Sequence, residues 1–189
     1  MRILALLALA SAALAQDDKK FAWNEWDAWN SFAVGSWVDF TSQGGTATTP
    51  MGPGAPPVVR RTIDKKEEKQ ITIKLTNAAR DSDVVRKPDA DPPVPAAKKC
   101  PACSTVHVVD TKSSKEKLKV GKAEVECTLI TVVETTAKAA GGGPALVGCR
   151  WTFKTWYSKE VPGWIARRES LCDPGGAWSK MVVVDFEKK

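Results

Sequence analysis

The segment with the clearest capacity for chemistry is Cys100-Pro101-Ala102-Cys103. Two cysteines at this spacing can close a small disulfide, and they become a thiol oxidoreductase site when a helix N-terminus lowers the pKa of the first thiol. Residues 104–109 instead read Ser-Thr-Val-His-Val-Val, which is a β-type run. The sequence therefore favours a disulfide that staples a loop, with thiol–disulfide exchange at Cys100 and Cys103 as the alternative.

Other catalytic or metal-ligating patterns are weak. Zinc ribbons use two Cys-x-x-Cys pairs, and a site that borrowed His107 or Cys172 would be irregular. His107 is the sole histidine and lies in an alternating run, which favours a structural role. Glu124 and Glu126 share one strand face, and a solvated surface explains them better than acid–base catalysis. Since no nucleophile elbow, metalloprotease helix or nucleotide-binding fingerprint is present, we predict a protein that is not an enzyme and uses no metal or cofactor.

Two more cysteines are predicted to face the core. In the alternation of residues 124–129, Cys127 shares a face with Val125 and Leu129, and Cys149 shares a face with the aromatic residues at 151 and 153. Cys127 and Cys149 lie on consecutive predicted strands, so they either form a disulfide or are buried as small apolar side chains. Five cysteines are an odd number, so at least one stays unpaired.

Aromatic side chains recur every three residues near the N-terminus. This spacing predicts a helical face within residues 21–32. Large aromatic side chains gain free energy when they leave water, so the helix is expected to dock. It is either a lid that closes one end of a sheet or a stacking platform for a sugar or a lipid. The candidate ligand-binding residues are Trp23, Trp26, Trp29 and Phe32, together with Trp37 of the strand that follows.

The rest of the chain predicts strands separated by turns. Alternating or β-rich runs occupy 34–41, 60–64, 70–76, 105–111, 115–120, 122–135, 146–157, 164–171 and 181–187. Pro162-Gly163 predicts a type II turn, and residues 44–57 and 81–99 are predicted to be proline-rich loops. The expected fold is mainly β (α+β), a curved antiparallel half-barrel meander with the aromatic helix packed on it.

The first fifteen residues have the features of a cleavable signal peptide. Arg2 precedes an apolar run of about a dozen residues, which is shorter than the roughly 20 of a membrane-spanning helix. Ala13 and Ala15 supply the small residues that signal peptidase reads, and no cysteine follows for lipid attachment. We predict a periplasmic or secreted protein without a transmembrane anchor, in which residues 16–189 form one domain.

The charge of the chain is mildly basic, with a formal net charge of +6. Its basic groups at 65–66, 98–99, 112–122 and 167–168 are interleaved with acidic residues or hydroxyl groups, as expected of solvated strand faces. No nucleic-acid-binding module is recognisable, so no nucleic-acid partner is predicted.

Three segments resemble a loose group of exported bacterial proteins of unassigned function. They read Phe-Ala-Val-Gly-Ser-Trp-Val at 32–38, Val-Gly-Lys-Ala-Glu-Val-Glu-Cys at 120–127, and Thr-Trp-Tyr-Ser-Lys-Glu-Val-Pro-Gly at 155–163. The arrangement is similar to the LolA/LolB-like, lipoprotein-carrier-like half-barrel. The resemblance covers half of the chain and implies a curved sheet with a helix across its concave side, without carrying over any ligand residues.

Three functions follow as hypotheses. The first is a non-catalytic binding or carrier module of the envelope, with a lipid or another apolar ligand. The second is a structural or protein-interaction domain with an envelope protein as its partner. The third is thiol–disulfide chemistry or a metal site at Cys100 and Cys103.

Overall fold

The computed structural model describes residues 24–46, 54–77, 80–88, 106–137, 150–173 and 176–189. These ranges form one short helix and nine strands. The elements are α1 (Glu25–Asn30), β1 (Trp37–Gly45), β2 (Val58–Glu67), β3 (Gln70–Thr76), β4 (Asp81–Arg86), β5 (Val106–Val120), β6 (Ala123–Ala137), β7 (Arg150–Tyr157), β8 (Ile165–Asp173) and β9 (Trp178–Glu187).

All nine strands belong to one antiparallel sheet, in the order β4-β3-β2-β1-β9-β8-β7-β6-β5. It consists of two meanders, β1 to β4 and β5 to β9, which join where β1 pairs with β9 from Trp37↔Glu187 to Gly45↔Trp178. The mainly β class, the antiparallel meander and the N-terminal helix are therefore confirmed. Within the described residues the sheet is open, with β4 and β5 at its two edges.

One predicted loop contains a strand. Residues 81–99 were expected to be a proline-rich loop, but Asp81–Arg86 forms β4 and pairs along its length with β3. The prolines begin only at position 88, so all six residues of β4 retain the N–H groups that a ladder needs. The strand lies at the sheet edge, where a following proline is tolerated.

The strands predicted at 60–64 and 70–76 are confirmed as parts of β2 and β3, which form an antiparallel hairpin. Glu67 pairs with Gln70 across a tight, charged turn. The two strands predicted at 105–111 and 115–120 are instead one continuous strand, β5, which pairs with β6 from Val106↔Ala137 to Val120↔Ala123. Its polar residues between positions 110 and 117 are exposed, so they weaken the sequence pattern without interrupting the ladder.

The helix is shorter than the aromatic spacing predicts. Asn24 caps it, since its side-chain oxygen accepts a hydrogen bond from the backbone N–H of Asp27 at 3.1 Å. At the other end, Lys66 Nζ donates to the backbone carbonyls of Asn30 at 2.6 Å and Phe32 at 3.0 Å. A cation there also complements the helix dipole. The helix therefore ends at Asn30, and Phe32 lies just beyond it.

Candidate ligand-binding cleft

The aromatic residues of the N-terminal segment pack into the core. Trp26, Trp29 and Phe32 are 9%, 2% and 7% exposed. They belong to the same apolar cluster as Val38, Phe40, Ile63 and Ile73 of the sheet. Trp23 lies outside the described residues. Since the three described side chains are enclosed by protein, their main contribution is to fix α1 on the sheet.

The turn between β7 and β8 holds α1 in place. Gly163 donates its N–H to the carbonyl of Ala28 at 3.2 Å, and Trp164 Nε1 donates to Ser31 Oγ at 3.1 Å. A Cβ atom on Gly163 would lie 2.8 Å from Cζ2 of Trp29. The indole therefore rests directly on the glycine backbone, which only a residue without a side chain permits.

The backbone of this turn agrees with the predicted type II geometry. Trp164 N donates to the carbonyl of Val161 at 2.7 Å, and Gly163 has a φ of +80°, as the third position of a type II turn requires. Trp164 follows with a φ of +57°, a conformation that costs a non-glycine side chain energy. The sequence did not predict this feature, which holds the Trp164 indole against α1.

A cleft of about 210 Å³ lies between α1 and the sheet; we call it the α1 cleft. Its walls combine apolar and charged side chains from the helix, the turn and four strands. The lining residues are Glu25, Trp29, Val38, Phe40, Arg61, Pro162, Gly163, Ile165, Arg168, Met181 and Val183.

Two arginines face the α1 cleft from neighbouring parts of the sheet. Arg61 pairs across strands with Val38, and Arg168 pairs with Met181. Directly paired residues share a sheet face, so both guanidinium groups lie on the side that α1 covers. The Arg61 guanidinium lies 4.6 Å from the centroid of the Phe40 ring, in the geometry of a cation–π contact.

The electrostatic balance of the cleft is positive. Burial lowers the pKa of Arg61 below its ordinary value, the nearby charges of Arg86 and Arg168 lower it further, and Glu25 acts in the opposite direction. Arg86 Nε lies 2.9 Å from Glu25 Oε1, within the distance of an ion pair. The Nε–H group of Arg86 does not form a hydrogen bond with that oxygen. Glu25 is therefore already engaged by Arg86.

The arginines of the cleft were not predicted as site residues, although the sequence contains a signal for one of them. In Val59-Arg60-Arg61-Thr62-Ile63, Arg61 occupies the alternate position that it shares with two apolar residues. A cation at an inward position of a strand needs a partner or a function. The structure places Arg61 at such an inward position, with its side chain in the lining of the cleft.

Trp37 lies on the opposite face of the sheet from the α1 cleft. It alternates along β1 with Val38 and Phe40, which line the cleft, and so points away from them. Its Nε1 donates to Glu187 Oε2 at 2.8 Å, and the Arg60 guanidinium stacks 3.9 Å from its ring centroid. The structure therefore does not bring Trp37 together with Trp29 in one site.

A second, wider depression of about 370 Å³ lies over β7, β8 and β9. Its apolar part is formed by Leu171 and Trp178, and Glu169 is its acidic residue. Glu169 is already paired with Arg167 and, at 3.8 Å, with Lys180. Since these opposite charges satisfy each other and the one helix of the described ranges lies over the other site, the α1 cleft is the stronger candidate.

Two solved structures are similar to this chain. One is a proposed lipoprotein from Parabacteroides distasonis, 11% identical, with a TM-score of 0.44 over 82% of this chain and 96% of its own. The other is a proposed exported protein with a YmcC-like fold from Bacteroides fragilis, 9% identical, with a TM-score of 0.44 over 83% and 97% of the two chains. No protein-family model matches the chain, and a search of curated proteins gives no match.

One structural neighbour is named as a lipoprotein and the other as an exported protein. Neither name is that of a LolA/LolB-like carrier, so that resemblance stays a prediction. At this degree of similarity neither neighbour carries an argument about the ligand. Signal cleavage after Ala15 lies outside the described residues, and among those residues no helix is long and apolar enough to cross a membrane.

Most of the predicted thiol chemistry falls outside the described residues. This applies to Cys100, Cys103 and Cys149, whose pairings stay predictions. Cys127 is buried beside Val125 as predicted, and the structure gives it no disulfide. His107 lies in β5, and its side chain is not among those described. No cluster of metal-ligating side chains occurs within the described part of the chain.

Cys127 should be inert toward thiol reagents in the folded protein. Burial raises the pKa of its thiol from 9.0 to about 11, and the carboxylates of Glu116 and Glu160 contribute further. Since the thiolate is the nucleophile, alkylation at pH 8 should be about 100-fold slower in the folded than in the unfolded chain. Peptide mass mapping after an iodoacetamide time course measures this rate. Equal rates in the two states would contradict the burial of this thiol.

The same raised pKa has a consequence for stability. The unfolded chain loses the Cys127 proton near pH 9 and the folded chain only near pH 11, so the unfolded state gains stability as pH rises through this window. The contribution is fully present below pH 9 and lost toward pH 11. The free energies of unfolding of Cys127→Ala and of the parent are compared at both pH values. Their difference separates the contribution of this thiol from the titration of lysines.

Proposed function

We propose that this chain is a non-catalytic binding module of the bacterial cell envelope whose ligand is an amphiphile held in the α1 cleft. The observation that carries the proposal is the composition of the cleft, where apolar side chains of β1 and β9 lie beside Arg61 and Arg168. Binding sites for small molecules typically combine an apolar lining with a few placed polar groups. An amphiphile is the ligand class that matches both kinds of surface.

The size of the α1 cleft limits how much of the ligand it takes. A volume of about 210 Å³ equals that of roughly seven water molecules at about 30 Å³ each. It is below the roughly 300–1,000 Å³ of sites that enclose a drug-sized ligand. We therefore expect the cleft to hold the head and first carbons of an amphiphile, with the remainder of the chain outside it.

Saturable quenching of tryptophan fluorescence by a fatty acid brominated near its carboxyl end tests this proposal. Bromine quenches indoles that it contacts, and Trp29 lines the cleft. Ile165→Phe, which fills part of the cleft, should weaken binding about tenfold, or about 1.4 kcal/mol. Val184→Phe is the matched control, because Val184 is exposed and does not line the cleft. Absence of saturable quenching, or equal weakening by both variants, would refute the proposal.

A second candidate is a structural or protein-interaction role. It is favoured by the burial of Trp26, Trp29 and Phe32, which leaves little of the aromatic face free for a ligand. In that case the protein should bind no amphiphile, and Ile165→Phe should change only stability. The quenching titration therefore separates the two functions.

A further inference from the structure

We infer that the head group recognised in the α1 cleft is an anion, a carboxylate or a phosphate, bound between the guanidinium groups of Arg61 and Arg168. This inference rests on the proposed function and specifies the ligand class of the same site. It depends on three observations: the placement of the arginines, the engagement of the nearest carboxylate, and the environment of Arg61.

The first observation is that the two arginines reach the cleft without a carboxylate partner. Within the described part of the chain, neither Arg61 nor Arg168 forms an ion pair or a hydrogen bond with a side chain. By contrast, Arg60, the neighbour of Arg61 on the opposite face, makes two hydrogen bonds of 2.7 Å to Asp39. Arg60, which faces away from the cleft, is thus paired with a carboxylate. Arg61, which faces the cleft, is available to bind an anion.

The second observation concerns Glu25, the carboxylate among the residues that line the cleft. It lies 2.9 Å from Arg86, a third arginine on the same side of the sheet. Among the described residues, three guanidinium groups thus share one carboxylate, which leaves an excess of two positive charges at the cleft. A bound carboxylate or phosphate would balance them.

The third observation is the free-energy cost of keeping the charged Arg61 side chain partly buried. Burial and the two like charges of Arg86 and Arg168 disfavour its charged form. The Phe40 ring offsets part of this cost through its cation–π contact with the guanidinium group. An anion offsets more, because guanidinium groups form two parallel hydrogen bonds with carboxylate or phosphate oxygens.

Calorimetric titration with three amphiphiles of equal chain length tests this inference. The probes are dodecyl phosphate, dodecanoate and neutral monolauroylglycerol, each below its micelle concentration, and inorganic phosphate probes the head group alone. Both anionic amphiphiles should bind at least about tenfold more tightly than the neutral one. A stronger response to dodecyl phosphate and a response to inorganic phosphate would identify phosphate as the preferred head, and preference for dodecanoate would identify carboxylate.

Substitutions of single charged residues show which charges cause the preference for anionic amphiphiles. Arg61→Gln and Arg168→Gln should each abolish most of the preference for anions, and Arg61→Lys should restore part of it. Arg150→Gln is the matched control, because it removes an exposed arginine that does not line the cleft. Glu25→Gln releases Arg86 and should tighten anion binding, a gain that loss of folding cannot imitate.

The outcomes separate this inference from the proposed function. If all three amphiphiles bind equally and the arginine variants change nothing, the anionic head is refuted while the amphiphile site stands. If no amphiphile binds to the folded protein, both fail. Arg168 is exposed, so its variant remains informative even if Arg61→Gln impairs folding.

Discussion

Replacement of Trp29 with alanine should lower the free energy of unfolding by about 3–5 kcal/mol, the range for removal of a large aromatic side chain from a core. Trp29 is 2% exposed and covers the backbone of Gly163. Its loss leaves a cavity between α1 and the sheet, and a helix of six residues has little stability apart from its packing. Urea denaturation followed by far-UV circular dichroism measures the change without depending on the tryptophan signal.

Trp37→Ala is the control for this substitution. The same residue type is removed, but from the opposite, partly solvated face, so we expect a loss of only about 1–2 kcal/mol. Equal losses at the two positions would mean that α1 is not fixed by Trp29. Trp29→Ala should also abolish binding of dodecyl phosphate in the calorimetric titration, because the cleft is formed by the docked helix.

Gly163→Ala should lower the free energy of unfolding by about 2–5 kcal/mol, through two additive effects. Alanine at a φ of +80° is strained by about 1–2 kcal/mol. In addition, its Cβ would lie 2.8 Å from the Trp29 ring, and overpacking of a core costs about 1–3 kcal/mol. Thermal or urea unfolding gives the total.

Gly35→Ala separates the two effects. Gly35 has a similar φ of +85°, but a Cβ atom at this position would meet the flexible side chain of Lys189 at 3.2 Å. The variant should therefore show the backbone strain without the overpacking. Trp29→Phe should partly rescue Gly163→Ala, since a smaller ring leaves room for the methyl group. If Gly35→Ala and Gly163→Ala cost the same, the contact with Trp29 contributes nothing.

The sheet could be predicted from the sequence because its strands carry local signals. Alternation marked β2, β3 and β6, and Pro162-Gly163 marked the turn that supports the helix. The strand β4 was missed, since six residues with two valines followed by prolines look like a loop. Its pairing with β3 is determined by the neighbouring strand rather than by its own composition.

The candidate site was only half predictable, for a related reason. Spacing identified Trp26 and Trp29 as a docking face, because helical periodicity is local. The α1 cleft, however, is formed where Arg61 and Arg168, separated by more than one hundred positions in the chain, meet Glu25 of the helix. Which residues share a sheet face depends on the register of strands that are distant in sequence, and spacing alone does not give that register.

The indole N–H spectrum of ¹⁵N-labelled protein during titration with dodecyl phosphate tests the central claim most directly. The chain has eight tryptophans, and single Phe variants assign their signals. Trp29 lines the α1 cleft, whereas Trp37 lies on the opposite face and Trp178 borders the second depression. We predict a saturable shift of the Trp29 signal while those of Trp37 and Trp178 stay in place. A shift of Trp37 or Trp178 with Trp29 unchanged would contradict a ligand site beneath the helix.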